Sequence, residues 1–199
     1  LAPNPATIHD FYGFPEELYK QQYPAKGDPV LGNRILKLLE LAGIKATGDP
    51  NRGIDHGVWS PLSLIYPDVS IPVIEMSVQP HKSAAYHLAV GRALVPLRTE
   101  GVLIVGSGSA THNLREIGRS APHALAFEEW LCKAVAEGRT DDLIHAEQRA
   151  PEYVRNHPTP EHFLPLYAPF GAAEEGAKAE ILNRHFEYGS LSMAAFLWK

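Results

Sequence analysis

Gly101-Val102-Leu103-Ile104-Val105-Gly106-Ser107-Gly108-Ser109-Ala110-Thr111-His112-Asn113-Leu114 is the stretch on which the fold class turns. Its first six residues form a near-continuous apolar run, the pattern of an interior parallel strand covered on both faces. The small residues that follow let the backbone turn at the strand's carboxyl end, where open α/β sheets place their ligands. Upstream, Ser83 to Arg98 has helical spacing with Ala84, Ala85, Leu88, Ala89, Ala93 and Leu94 inward, and Ile71 to Val78 reads as a strand. Downstream, Leu125 to Ala136 is a helix. Helices and strands therefore alternate, and the expected class is α/β: one domain with a central sheet and helices on both faces.

Further out, Pro15-Glu16-Glu17 starts a short helix reaching about Tyr19. Asp28 to Ala42 carries Val30, Leu31, Ile35, Leu38, Leu39 and Leu41 near helical spacing, and Gly43 stops it. That pattern predicts an amphipathic helix lying on a sheet. Ile44 to Thr47 is a short expected strand, and the turn-rich Gly48 to Gly53 then delivers Asp55-His56-Gly57 on a loop. A helix over Trp59 to Tyr66 is expected to begin at Ser60-Pro61. Residues 137 to 160 are polar and Pro-interrupted, the expected partly mobile region. Pro165 to Gly176 is expected to be helical with a break near Pro169, and Phe186 to Phe196 alternates like a closing strand.

The 199 residues are enough for one domain with a substantial core. A hydrophobic content of 45% and a net charge of −5, without any basic stripe, argue for a globular protein with no nucleic-acid partner. Cys132 is the lone cysteine, so disulfide scaffolding and cysteine-based zinc sites are excluded. No apolar run approaches the ~20 residues that span a bilayer, and no signal-peptide pattern opens the chain. The expected setting is cytoplasmic, without membrane contact, as a monomer or homodimer. The chain begins at Leu1 rather than Met, and it is expected to be processed or incomplete.

Three histidines in unlike settings carry the functional signal: His56, His112 and His162. Imidazole titrates near neutral pH and is the commonest metal ligand, so several at strand ends and loops suggest a metal or acid/base centre. His112 follows the Gly-rich turn, where it either serves the turn or acts chemically. Asp55 either orients the His56 imidazole, as carboxylates behind catalytic histidines do, or only builds the turn with Gly57. In Thr159-Pro160-Glu161-His162 the neighbouring carboxylate and imidazole are expected to diverge, so His162 is favoured over Glu161. A helix start capped by Thr159 is compatible with that role. Of the remaining histidines, His9 and His123 are the expected exceptions to an ordinary surface or hydrogen-bonded role. The Gly-rich turn lacks the dinucleotide glycine spacing and the Gly-Lys-Ser/Thr ending of phosphate loops. It also lacks the Gly-x-Ser-x-Gly of a nucleophile elbow, so a hydrolase ranks second among enzyme classes.

Taken together, Ile8-His9-Asp10-Phe11-Tyr12-Gly13-Phe14-Pro15, Asp55-His56-Gly57-Val58-Trp59, Gly101 to Leu114, Thr159 to Leu166 and Tyr188 to Met193 resemble the bacterial DOPA 4,5-dioxygenase-type branch of the class III extradiol ring-cleavage dioxygenases. The resemblance covers nearly the whole chain, in family order. It implies a single α/β domain with a central mixed sheet and a non-haem Fe(II) site, often occupied by Zn²⁺ in isolated proteins. The implied substrates are a DOPA-like catechol and O₂, and the product is a muconic semialdehyde. His162 falls at a metal-ligand position, and His112 acts as an acid/base residue beside the metal or as a further ligand. His56 would contact substrate or dioxygen, with Asp55 beside it on the substrate side, and the three imidazoles would serve one cavity. The family's His-Gly-Ser-Pro turn and Ala-His-Trp strand end, which supply further ligands, do not occur here. Residues preceding Leu1, carrying those ligands and the first strands of the sheet, are therefore expected in the intact protein, and this chain alone is expected to bind metal weakly. The rivals are a non-catalytic small-molecule-binding protein on the same scaffold and a metal-dependent hydrolase.

Overall fold

The computed structural model describes residues 1–174 and 176–199. The chain forms two compact units, Leu1–Ser77 and Val78–Lys199.

The first unit holds α1 (Glu16–Tyr19), α2 (Pro29–Leu41) and α3 (His56–Ile65). α2 starts where the Asp28 carboxylate accepts the Leu31 N–H and Pro29 occupies the first turn. It buries Ile35, Leu38 and Leu39 but leaves Val30 and Leu41 exposed, so only part of its apolar pattern faces a core. Among the described residues of this unit no sheet lies beneath it. The expected strands at Ile44–Thr47 and Ile71–Val78 form no ladder, and the unit's β pairing among the described residues is one parallel bridge, Thr7 to Ile54. Hydrophobic periodicity reports burial and says nothing of a partner, whereas a strand requires one. α3 begins four residues before the expected Ser60, because the Asp55 carboxylate accepts the Gly57 N–H and caps it. His56 is therefore the first residue of a helix rather than part of a loop. One buried cluster of the unit is Tyr23, Ala25, Ile54 and Trp59.

The second unit is built around α5 (Pro122–Ala136), whose Phe127, Leu131 and Val135 are fully buried with Leu143, Phe163 and Tyr167. α4 (Ala84–Ala93) stops short of Arg98, and a 3-10 helix over Val95–Glu100 carries the chain on to Gly101, whose φ of 78° closes the turn. The polar stretch expected to be mobile forms α6 (Thr140–Ile144), α7 (Ala146–Arg149) and α8 (Tyr153–Asn156). It is anchored by the buried Leu143, Ala146 and Asn156. A 3-10 turn over Leu164–Leu166 leads into α9 (Tyr167–Ala172), shorter than the expected Pro165–Gly176 helix. Residue 175 of that range lies outside the described residues.

The class is mixed α/β, and its described strands form two small antiparallel sheets. β1 (Glu180–Asn183) pairs with β4 (Ala195–Leu197), and β2 (Phe186–Glu187) pairs with β3 (Leu191–Ser192). The expected closing strand is thus folded back at Tyr188-Gly189, both with positive φ. The run 101–106 makes no ladder among the described residues, and Leu103 and Val105 are exposed rather than covered.

Candidate active site

Two segments distant in sequence are stitched together in the second unit. The His112 N–H donates to the Asn156 carbonyl at 2.8 Å, His157 Nε2 lies 2.9 Å from the Ala110 carbonyl, and Asn113 Nδ2 donates to the Arg155 carbonyl at 2.7 Å. Closer to the Gly-rich turn, the Ser109 N–H donates to the His162 carbonyl at 2.8 Å. Gly108 and Gly106 are required by this approach: a Cβ at 108 would sit 2.3 Å from the His162 oxygen, and one at 106 would sit 2.2 Å from the Pro165 oxygen. The glycines bring backbone against backbone, a role distinct from cradling a phosphate or straining a nucleophile. Behind His112, the Thr111 hydroxyl donates to the Ser190 carbonyl and accepts the Ser192 N–H, tying in the β2–β3 hairpin.

The outcome is that His112 and His162 stack, with ring centroids 3.5 Å apart and planes 15° from parallel. Burial, with His162 close by, pushes the His112 imidazole below its ordinary value although Glu161 opposes the shift. It is therefore a neutral base at working pH. Glu161 and His162 do not diverge as adjacent residues were expected to: His162 Nδ1 lies 3.1 Å from Glu161 Oε1, which also accepts the Thr159 hydroxyl at 2.7 Å. Thr159 serves this carboxylate rather than a helix cap. Burial works to raise the Glu161 carboxyl, and the hydrogen bonds from Thr159 and His162 outweigh it, holding it ionised.

His157, expected to be an ordinary surface or hydrogen-bonded group, is of the second kind: it is 2% exposed and packs against Phe127, Tyr153 and Phe163. Burial drives its imidazole down to about 4, so the Nε2–H donates to Ala110 from a neutral ring. Its Nδ1 has no partner among the described residues. His123 is also buried, with Nε2 2.7 Å from Glu116 Oε2, and Arg155 holds the other carboxylate oxygen. Nothing in the local sequence marks Asn156 or His157. The polar composition around them reflects exposed neighbours.

In the first unit, His56 Nδ1 lies 2.5 Å from Asp10 Oδ1. Asp55, the carboxylate adjacent in sequence, instead caps α3 and pairs with Arg52, so of its two sequence readings the structural one holds. The His56 ring stands edge-on to Phe11, itself packed against Trp59 and Tyr19. His9 belongs to the same aromatic cluster and bonds the Gln21 carbonyl.

The donors fit a non-haem metal in kind and not in number. Among the described residues no group of three His, Cys, Asp or Glu side chains could hold an ion, and the stacked pair supplies two imidazoles where catalytic sites use three protein ligands.

Two stacked imidazoles with a carboxylate beside one of them are the donors on which a histidine-based acid/base or metal centre would draw. Residues 1–197 match the family described as the catalytic LigB subunit of aromatic ring-opening dioxygenase, and the chain belongs to that family, the class III extradiol dioxygenases. It is 45% identical over 195 residues to the 4,5-DOPA dioxygenase extradiol of Beta vulgaris, covering 96% of this chain and 73% of that one. It is 40% identical over 198 residues to the protein of the same name from Escherichia coli (strain K12), covering 95% and 72%. The crystal structure of an uncharacterized Escherichia coli K12 protein superposes with a TM-score of 0.76 at 33% identity, covering 96% of this chain and 79% of that one. No helix among the described residues is long and apolar enough to cross a membrane.

Proposed function

We propose that this dioxygenase opens the ring of a DOPA-like catechol beside its diol. The ring carbon–carbon bond next to the hydroxyl-bearing pair breaks, and both atoms of O₂ enter the product, a muconic semialdehyde. Substrate and O₂ together supply every product atom, so no separate reductant is consumed. The observation that carries the reading is the His112–His162 stack, two imidazoles from distant segments held together by backbone hydrogen bonds within a family-wide match. The names of the relatives at 40–45% identity support the substrate class.

His112, neutral and half-buried, takes a proton from a catechol hydroxyl and returns one as the ring opens. His162, hydrogen-bonded to Glu161, is the proposed ligand position for the metal, with His112 beside it as the base. Fe(II) is the proposed metal and Zn²⁺ an alternative in isolated protein; among the described residues the two imidazoles alone would not complete a site for either. His56 contacts substrate or dioxygen, and Asp55 acts there only through the helix it caps. The match over residues 1–197 runs across both units, which supports reading the chain as one catalytic domain; a cytoplasmic setting is proposed with it.

The test is oxygen uptake and semialdehyde absorbance with a catechol panel after anaerobic Fe(II) reconstitution. His112→Ala and His112→Phe are expected to lower turnover by about 10²–10⁴-fold with circular dichroism unchanged. Wild-type turnover in both would refute the role. Catechol binding without oxygen uptake would instead identify a non-catalytic binding protein.

A further inference from the structure

Asp10 and His56 are 46 residues apart, and the first unit holds both in place before any ligand arrives. The Ile54 N–H donates to the Ala6 carbonyl and the Ile8 N–H donates back to the Ile54 carbonyl, each at 2.8 Å. Trp59 Nε1 donates to the Ile8 carbonyl at 2.8 Å, so α3 grips the same segment. The approach is close: a Cβ on Gly53 would sit 2.1 Å from the Ala6 oxygen. At the other end, the Asp55 cap fixes His56 as the first residue of α3. Phe11 walls the imidazole on one side, edge-on at 5.6 Å.

A carboxylate only accepts, so the His56 nitrogen facing Asp10 must carry the hydrogen. In the neutral ring, Nε2 is then a bare lone pair. An acceptor meets a hydroxyl hydrogen; it offers nothing to an oxygen molecule. We propose that Asp10 is a positioning residue that fixes the Nδ1–H tautomer of His56, so that Nε2 accepts a hydrogen bond from a hydroxyl group of the aromatic substrate. This rests on the proposed reading of His56 and selects substrate over dioxygen as its contact. Burial works to raise the Asp10 carboxyl, and its hydrogen bonds, the one from His56 first among them, outweigh it. The side chains are 40% and 45% exposed, so Asp10 can be replaced without opening a core.

The experiment uses the full chain and two readouts. Long-range proton–nitrogen NMR of the His56 ring, assigned by its loss in His56→Ala, should show the Nδ1–H tautomer in the wild type. In Asp10→Asn, whose amide can donate to Nδ1, it should show the Nε2–H tautomer. Fe(II)-reconstituted Asp10→Asn should lose about 10- to 100-fold in kcat/KM for the catechol with KM for oxygen unchanged, and Asp10→Glu should recover part of the loss. An unchanged ring spectrum in Asp10→Asn overturns the positioning role whatever the turnover. A raised KM for oxygen alone overturns the assignment of the contact to a hydroxyl. Wild-type turnover in His56→Ala overturns the underlying reading of His56, and the NMR result still decides whether Asp10 sets its tautomer.

Discussion

At the scale of the residue, the chemistry is set by partners that lie far off in sequence. His157 shows this most directly, because its neighbours Asn156 and Pro158 say nothing of Phe127, Tyr153 and Phe163 around its ring. An unfolded chain takes up a proton on this imidazole near 6.5, whereas the folded chain does so only near 4. Between those values the unfolded state binds more protons, so the contribution is complete above 6.5 and is lost as pH falls toward 4. Its size is about 3 kcal/mol. His157→Phe keeps an aromatic ring in the cluster but strands the Ala110 carbonyl. Urea unfolding at pH 7 should show a loss of about 1–3 kcal/mol, and the gap from wild type should narrow by pH 5. A gap that stays constant between the two would refute the buried neutral assignment.

At the scale of the element, segments are placed by close approach rather than by propensity. The run from Gly106 to Ser109 lies against 162–165 because neither glycine has a Cβ, and this contact seats His112 on His162. Gly108→Ala would force a methyl group to 2.3 Å from a backbone oxygen that cannot swing aside. The expected result is a thermal midpoint lowered by about 1–3 kcal/mol of stability, with turnover falling further than stability does. Differential scanning calorimetry beside oxygen uptake separates the two. A variant with wild-type activity would show that the turn tolerates displacement. Element starts were legible where a cap sits next to its helix, as Asp28 does for α2, and were misplaced where the cap was read as something else. Asp55 was open to two readings because a carboxylate beside a histidine suits both a cap and an orienting partner, and only the partner's position in space separates them.

At the scale of the molecule, the second unit is closed by its C-terminal segment. Arg184 makes a two-pronged contact with Glu128, at 2.9 and 2.6 Å, and that carboxylate is 1% exposed on α5. Arg184→Ala would leave a buried charge unpaired. Because the guanidinium itself is 45% exposed, the loss should fall at the lower end of the about 3–5 kcal/mol typical of broken buried pairs. The double variant Arg184→Met, Glu128→Gln should recover much of that loss in chemical denaturation; equal losses in both would show that packing, not charge, holds the segment.

The linear chain was sufficient for the mixed α/β class, the helix positions that bury Phe127 and Leu131, and the family resemblance. These depend on residue type and local spacing, which are written in order along the polymer. Whether an apolar run acquires a strand partner, which carboxylate faces His56, and that Glu161 turns back onto His162 depend on what arrives from elsewhere in the fold. Hydrogen bonds and desolvation act over a few ångströms of space, and separation along the backbone does not encode that distance.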